Sequence, residues 1–517
     1  MTRTVRIPVD RALLATDIQL PPAGPAAGPY PAVVIRTPYG RRAHRGEARA
    51  WAARGFAAVV QDVRGRYGSG GRWRPYAHEP TDGAATLRWV RARPWSDGRI
   101  VAAGSSYAAY CALVTVVGDP GGPDGCAARP PDAVVAAVPA LGTAETARDP
   151  SGVERLLGRA GWWAAHGDRP DSDPDALDRR LGHDPGLLTH LPVTDLPARL
   201  GRALPSWPGV WDAPRADAVV RRAPAARTPL LAIGGTHDPF AADTLALWRT
   251  WGGPARLVLG PWGHRLTRDP GPGARPEHRV DLGALTCAWA RAVCDGPPPL
   301  PGRDGAVAVA GTPYWYPAAV AVDTPTRRFP LTGGPLDGAL LTGGTFHADP
   351  AAPVRSDELR ADPDRADRAL FVTAPLTRDT DLVGSAAAEL RARADTPAAD
   401  WFVRIVAVDP HGRAEPVAVG SARTARPPGT WSTVTVPLGP LARRIPAGTR
   451  LRTEITGHHF PAHARNPHTG QDPVTATRLL PSRRALRAER TAEGHPVSPP
   501  RAAHADPDRP HERPGFP

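Results

Sequence analysis

The sequence predicts an α/β domain built on a mostly parallel sheet, followed in the same chain by an all-β domain. Three observations carry this. Short apolar runs alternate with helical spacings through the first half of the chain. The strand signals stop between about residues 142 and 226 and then resume. Beyond Pro301 the pattern changes to short alternating stretches separated by turns.

Taken in order, Val5 to Ile7 and Leu14 to Leu20 read as strands, and a Pro/Gly/Ala turn follows at Pro21 to Pro31. Ala32-Val33-Val34-Ile35-Arg36 and Ala57-Ala58-Val59-Val60-Gln61-Asp62 are apolar runs of the kind buried in a parallel sheet, with a helix at Ala48 to Arg54 between them. Asp82 to Arg93 has helical spacing, with Leu87 and Val90 on one face. Ile100 to Ala103 is the next strand, a helix begins near Tyr107, and Val134 to Val138 is a further strand. The segment from Gly142 to Ala226 consists of helical patches broken by Pro, Gly and Asp. It holds Trp162, Trp163, Trp207 and Trp211, and it reads as a cap over a site. The sheet resumes at Leu230 to Ile233 and Ala255 to Leu259, and a helix at Val280 to Val293 closes the domain before a Pro-rich break at Pro297 to Pro301. Val307 to Ala310, Leu370 to Val372, Ala387 to Ala392, Trp401 to Val408, Ser432 to Leu438 and Leu451 to Ile455 then read as strands of a sandwich or barrel. The Arg/Pro/Ala/His-rich text from Ser482 to Pro517 reads as a disordered tail.

Composition excludes several function classes. Of 517 residues, 41% are hydrophobic, enough for real cores. The 64 basic residues are all arginine against 51 acids, a formal charge of +13, but they are scattered among the acids, so no nucleic-acid surface is expected. Cys111, Cys126, Cys287 and Cys294 form no CxxC pair and no His/Cys metal spacing, and His458 and His459 are adjacent and point to opposite faces. No metal site and no cofactor are expected. The N-terminus lacks the apolar core of a signal peptide, and no window reaches membrane-spanning length. The expectation is a cytoplasmic protein that does not engage a membrane.

Three loops carry chemistry. Val101-Ala102-Ala103-Gly104-Ser105-Ser106-Tyr107 is strand, then G-x-S, then helix. That context is the one a nucleophile elbow needs to expose a serine hydroxyl at the end of a strand. Ala109 stands where a second glycine is usual. Asp238 follows the buried strand Leu231-Ala232-Ile233, and His264 follows the next strand, Leu257-Val258-Leu259. Serine, acid and histidine in that order, each after a strand, are the triad order of α/β-hydrolases. The glycine-rich stretch Gln61 to Gly71 lacks the Gly-Lys-Ser/Thr of a phosphate loop and reads as a structural turn held by an Asp–Arg pair.

These motifs resemble the family of bacterial cocaine esterase, α-amino-acid ester hydrolases, glutaryl cephalosporin acylases and X-Pro dipeptidyl-peptidases. The matching text includes Arg36-Thr37-Pro38-Tyr39, Asp62-Val63-Arg64-Gly65-Arg66-Tyr67-Gly68-Ser69, Pro94-Trp95-Ser96-Asp97-Gly98, Gly104-Ser105-Ser106-Tyr107 and Gly260-Pro261-Trp262-Gly263-His264. It continues in Asp409-Pro410-His411-Gly412-Arg413-Ala414, Gly448-Thr449-Arg450-Leu451 and Phe460-Pro461 through Arg465-Asn466-Pro467-His468-Thr469-Gly470. The resemblance implies an α/β-hydrolase domain, a helical cap inserted in it and a C-terminal jelly-roll β domain. It also implies an oxyanion hole made by the Tyr39 hydroxyl and the backbone N–H of Tyr107. The expected partition is 1–141 and 227–297 for the hydrolase core, 142–226 for the cap, 298–481 for the jelly roll and 482–517 for the tail.

The expected function is a serine hydrolase of a small-molecule ester or activated amide, with Ser106 as nucleophile, His264 as base and Asp238 orienting it, working through an acyl-enzyme. An X-Pro dipeptidyl-peptidase would use the same triad and anchor a substrate ammonium on carboxylates; the cap offers Glu154, Asp168, Asp171, Asp173 and Asp175. Acyl transfer needs the same residues. A non-catalytic binding protein is the reading least compatible with an intact Ser106, Asp238 and His264.

Overall fold

The computed structural model describes residues 2–23, 28–118, 129–296, 302–319, 339–340, 344–359 and 365–487. The Pro-rich break at Pro297 to Pro301 and Cys126 lie outside the described residues.

The chain opens with a hairpin of β1 (Thr2–Val9) and β2 (Ala12–Gln19), then β3 (Tyr30–Thr37), α1 (Arg45–Ala53), β4 (Ala57–Asp62), α2 (Glu79–Arg91), β5 (Ser96–Ser105), α3 (Tyr107–Val117) and β6 (Ala133–Ala137). Short helices α4 (Thr143–Ala147), α5 (Leu156–His166), α6 (Ala176–His183), α7 (Leu196–Leu200) and α8 (Ala218–Arg222) follow. The sheet then resumes with β7 (Leu230–Gly235), α9 (Ala241–Thr250), β8 (Ala255–Gly260), a small hairpin of β9 (Trp262–Gly263) and β10 (Leu266–Pro270), and α10 (Leu282–Asp295). Two more strands, β11 (Arg303–Ala308) and β12 (Trp315–Pro317), complete a ten-stranded sheet in the order β1-β2-β4-β3-β5-β6-β7-β8-β11-β12. From β4 to β11 all neighbours are parallel, and the two edges are antiparallel. The central strands are largely apolar because helices cover both faces and every residue of β4, β6 and β7 is buried, Gln61 and Asp62 at the end of β4 being the polar exceptions.

The β domain stacks a five-stranded sheet on a four-stranded one. The first runs β13 (Ala339–Leu340), β15 (Arg368–Val372), β20 (Arg450–Thr456), β17 (Ala398–Val408), β18 (Ala414–Ala425). The second runs β14 (Thr345–Ala348), β21 (Ser482–Arg487), β16 (Thr380–Ala394), β19 (Ser432–Ile445). Trp401, Phe346, Val403, Val436 and Ile455 fill the space between them.

Two expectations are corrected. Val307 to Ala310 does not begin the β domain: β11 pairs in parallel with β8, because α10 returns the chain across the sheet as a crossover. The α/β sheet therefore extends past residue 298. The segment from Ser482 is not tail throughout: β21 is inserted between β14 and β16, and Arg484 is fully buried against Trp401. Its arginines disguise it, since their stems pack like apolar chains while the guanidinium finds a ring. Residues 488–517 lie outside the described residues.

Among the described residues no helix is long and apolar enough to cross a membrane. Cys111 and Cys287 are buried and Cys294 is partly so, all three unpaired. Burial pushes the Cys111 thiol up, and those of Cys287 and Cys294 to about 11, so none is a ready thiolate.

Candidate active site

Ser106 sits between β5 and α3 with φ 58° and ψ −121°, a conformation that a non-glycine residue adopts only when its surroundings impose it. The imposing contacts are local. Its N–H donates to Ala137 of β6, and its carbonyl accepts from Ala140. Strand and helix cross closely at Gly104, where a Cβ would lie 2.3 Å from the Ala108 carbonyl carbon. Ala109 is wholly buried in the core with Ala102, Ala112 and Leu113, so the elbow accommodates its methyl. The close approach is borne by Gly104 instead.

The acid and histidine loops are stitched together. Gly235 and Gly260 are register partners at the ends of β7 and β8. The Thr236 N–H donates to the Gly260 carbonyl and the His237 N–H to the Trp262 carbonyl, which lies where a Gly235 Cβ would be. This brings Asp238 and His264 together from positions 26 residues apart. His264 Nδ1 is 2.7 Å from Asp238 Oδ1, and His264 Nε2 is 3.0 Å from Ser106 Oγ. The Asp238 carboxylate is wholly buried, whereas the His264 ring is about a third exposed, with the Phe240 ring edge-on to it at 5.4 Å.

Tyr39, just past β3, is brought to the same place. Its hydroxyl accepts from Trp162 Nε1 at 3.2 Å, and its ring meets His166 at 5.1 Å. Burial raises the phenol above its ordinary range, against the smaller opposing pull of its Trp162 and Ser106 neighbours, so the hydroxyl stays protonated. The Tyr107 N–H opens α3, where first-turn amides have no acceptor within the helix. The Tyr107 side chain is held elsewhere: its hydroxyl donates to buried Glu79 and accepts from the Tyr76 N–H at 2.8 Å. Ser106, Asp238, His264, Tyr39 and Tyr107 thus converge on one end of the parallel strands.

Of the cap tryptophans only Trp162 faces this place; it stacks on the Tyr107 ring at 6.3 Å. Trp163, Trp207 and Trp211 are buried in the cap's own core with Leu156, Leu196 and, from the β domain, Phe460. The loop from Gln61 to Gly71 is structural, but its ion pair reaches outside it: Asp62 binds Arg41, not an arginine of the loop. Arg66 of the same loop is fully buried. It donates to the Pro38 carbonyl, to the carbonyls of His166, Arg169 and Asp171, and to Ser172, with its plane over Trp73 at 4.3 Å. It ties the end of β3, which carries Tyr39, to the cap.

The cap's carboxylates do not converge. Glu154 is buried in a two-toothed pair with Arg423 of the β domain. Asp171 pairs with Arg169, Asp173 with Arg179, and Asp168 accepts from Ser206, while Asp175 is exposed. Sequence reading passed over two arginines instead. Arg155 and Arg159 stand one turn apart at the start of α5; their signal is two cations in the otherwise apolar run Arg155 to Ala165. Among the described residues no group of His, Cys, Asp and Glu could hold a metal.

Residues 10–265 match the family described as X-Pro dipeptidyl-peptidase (S15 family), and residues 310–510 match the X-Pro dipeptidyl-peptidase C-terminal non-catalytic domain. The chain is 26% identical to the cocaine esterase of Rhodococcus sp. (strain MB1 Bresler), over 90% of this chain and 92% of that one. Its fold is similar to that of an aminopeptidase from a marine-sediment Thaumarchaeota archaeon (TM-score 0.73, 21% identity, 94% of each chain covered). It is similar also to that of an α-amino acid ester hydrolase (TM-score 0.74, 19% identity, 94% of each chain).

Proposed function

The chain belongs to the X-Pro dipeptidyl-peptidase (S15) family of serine hydrolases, and from that premise we propose that it cleaves a carboxylic ester or activated amide through an acyl-enzyme on Ser106. The observation that carries the proposal is the unbroken hydrogen-bonded line Ser106–His264–Asp238 at the strained elbow.

Each group has one task. His264 Nε2 takes the Ser106 proton as Oγ attacks the carbonyl carbon, then passes it to the departing alcohol or amine. The buried Asp238 carboxylate fixes the tautomer with the proton on Nδ1 and stabilises the imidazolium that forms. The carbonyl oxygen, as it gains charge, faces the Tyr39 hydroxyl and the Tyr107 N–H. Water, activated by His264, then attacks the acyl carbon, and Oγ leaves with the proton returned.

Ester cleavage is favoured over X-Pro peptide cleavage by the cap. A peptide ammonium needs a free carboxylate, and Glu154, Asp168, Asp171, Asp173 and Asp175 are spent on arginines, on Ser206 or on solvent.

The test is kcat/KM for p-nitrophenyl butyrate and for Gly-Pro-p-nitroanilide, each with Ser106→Ala as control. Ester turnover without anilide turnover, lost in the variant, is expected. Efficient anilide turnover would make it a peptidase, and turnover surviving in Ser106→Ala would remove the triad assignment.

A further inference from the structure

Arg155 and Arg159 each lie one aromatic ring away from the site residues. The Arg159 guanidinium is 5.5 Å from the Trp162 ring, and Trp162 donates to the Tyr39 hydroxyl. The Arg155 guanidinium is 5.5 Å from the Phe240 ring, whose neighbour is His264. Among the described residues neither has a carboxylate partner. Arg159 gives one bond to the Thr146 hydroxyl at 2.9 Å, and Arg155 one to the Pro239 carbonyl at 2.9 Å. Arg159 Nε and Arg155 Nη1 are buried with no acceptor among the described residues, and Arg159 as a whole is only 6% exposed.

A buried cation without an anion is costly, and a second cation one turn away adds repulsion. The cost rises again at the start of a helix, where the backbone dipole already favours negative charge. The carboxylates whose charge Arg155 feels are all engaged: Asp149 with Ser151, Ser421 and His463, Asp243 with Arg215, and Asp238 with His264. Arg159 faces only the neutral phenols of Tyr76 and Tyr39, and Arg155. An anion entering from solvent is what these two groups lack.

We propose that Arg155 and Arg159 form a carboxylate-binding subsite, so that the substrate is an anionic ester or amide. This rests on the Ser106 hydrolase reading. The carboxylate belongs either to the acyl group or to the leaving group, and two substrate pairs separate these sources. The first compares mono-4-nitrophenyl adipate with 4-nitrophenyl hexanoate; the second compares 4-carboxyphenyl butyrate with phenyl butyrate.

In one pair the anionic ester is expected to exceed its neutral counterpart about 10-fold or more in kcat/KM at low salt. Arg159→Met is expected to cut that ratio about 10- to 100-fold, the range for a lost hydrogen bond to a charged group. Arg159→Lys, which keeps the charge but not the fork, should recover part of it. A merely structural role would lower both members of a pair together and leave the ratio unmoved. Neutral esters preferred in both pairs, or a ratio indifferent to Arg159→Met and Arg155→Met, would overturn the proposal. Calorimetric binding of the adipate monoester and of 4-carboxyphenyl butyrate to Ser106→Ala reads the subsite without turnover. Binding of either that is lost in Ser106→Ala/Arg159→Met upholds the subsite even if no ester is cleaved, whereas binding of neither to Ser106→Ala rejects it even if neutral esters are cleaved.

Discussion

Replacing Tyr39 by Phe removes one hydroxyl and leaves the ring against His166. In the proposed mechanism the hydroxyl is one of two donors to the developing oxyanion, and burial keeps it a phenol, not a phenolate. Loss of one preorganised oxyanion donor costs about 10²–10³ in kcat. The charge it meets exists only in the transition state, so kcat should carry the loss and KM should change little. Stability should barely respond, because only the 3.2 Å bond from Trp162 is lost, about 1 kcal/mol for a typical hydrogen bond. The assay is steady-state hydrolysis of p-nitrophenyl butyrate with a parallel urea melt. A kcat loss under about tenfold in a folded variant would mean that the hydroxyl does not face the oxyanion, against the magnitude such donors show.

Gly104→Ala places a methyl 2.3 Å from the Ala108 backbone, so a loss of about 1–3 kcal/mol in unfolding free energy is expected, with activity falling further as the elbow shifts; an unchanged melt would refute the close packing. Arg66→Met frees the cap carbonyls of His166, Arg169 and Asp171, and limited proteolysis should cut first near residues 166–172 while KM rises; unchanged protection there would show that Arg66 does not hold the cap. Burial holds His166 and His468 down at about 4 and His459 at about 3, so they stay neutral in the fold while unfolded histidines protonate below about 6.5. The unfolded state then binds more protons between these limits. Stability should therefore fall as pH drops from about 6.5 toward 4, be unaffected by these groups above 6.5, and show as a lower urea midpoint at pH 5 than at pH 7.5.

Sequence reading located the strands that end at the site because they are continuous apolar runs, and a strand that no water touches has few other readings. It also put Ser106, Asp238 and His264 in order after three strands, which the structure brings into one hydrogen-bonded line. What escaped it was partnership across the chain. Glu79 opens a helix with nothing local to mark it as the acceptor of the Tyr107 hydroxyl. Trp162 and Trp163 are adjacent and chemically alike, yet one faces Tyr39 and the other the cap core, a difference set by the helix's rotation. β21 and β11 were misplaced for a related reason. A short strand is assigned to a sheet by its partners, and neither arginine-rich Ser482–Arg487 nor Arg303–Ala308 names its partner in its own residues.

The cap decides what the common machinery acts upon. The Ser106 line and the Tyr39 hydroxyl are indifferent to charge elsewhere on the substrate, so selectivity must come from groups that meet the substrate away from the carbonyl. On the reading proposed above those groups are Trp162 on α5 and the two arginines at its start. Glu154, just before them, is neutralised by Arg423, which itself pairs with Asp400, and by Arg148 at 3.6 Å. That buried pair fixes the start of α5 to the β domain, and with it the direction in which Arg155 and Arg159 point. Arg423→Met would leave Glu154 with only the longer 3.6 Å pairing to Arg148, a loss of at most about 3–5 kcal/mol, the cost of a broken buried pair. Because the same contact aims the arginines, the variant should also lose discrimination between anionic and neutral esters at temperatures where it remains folded. Retained discrimination in a destabilised but folded variant would show that α5 is oriented by the cap core alone.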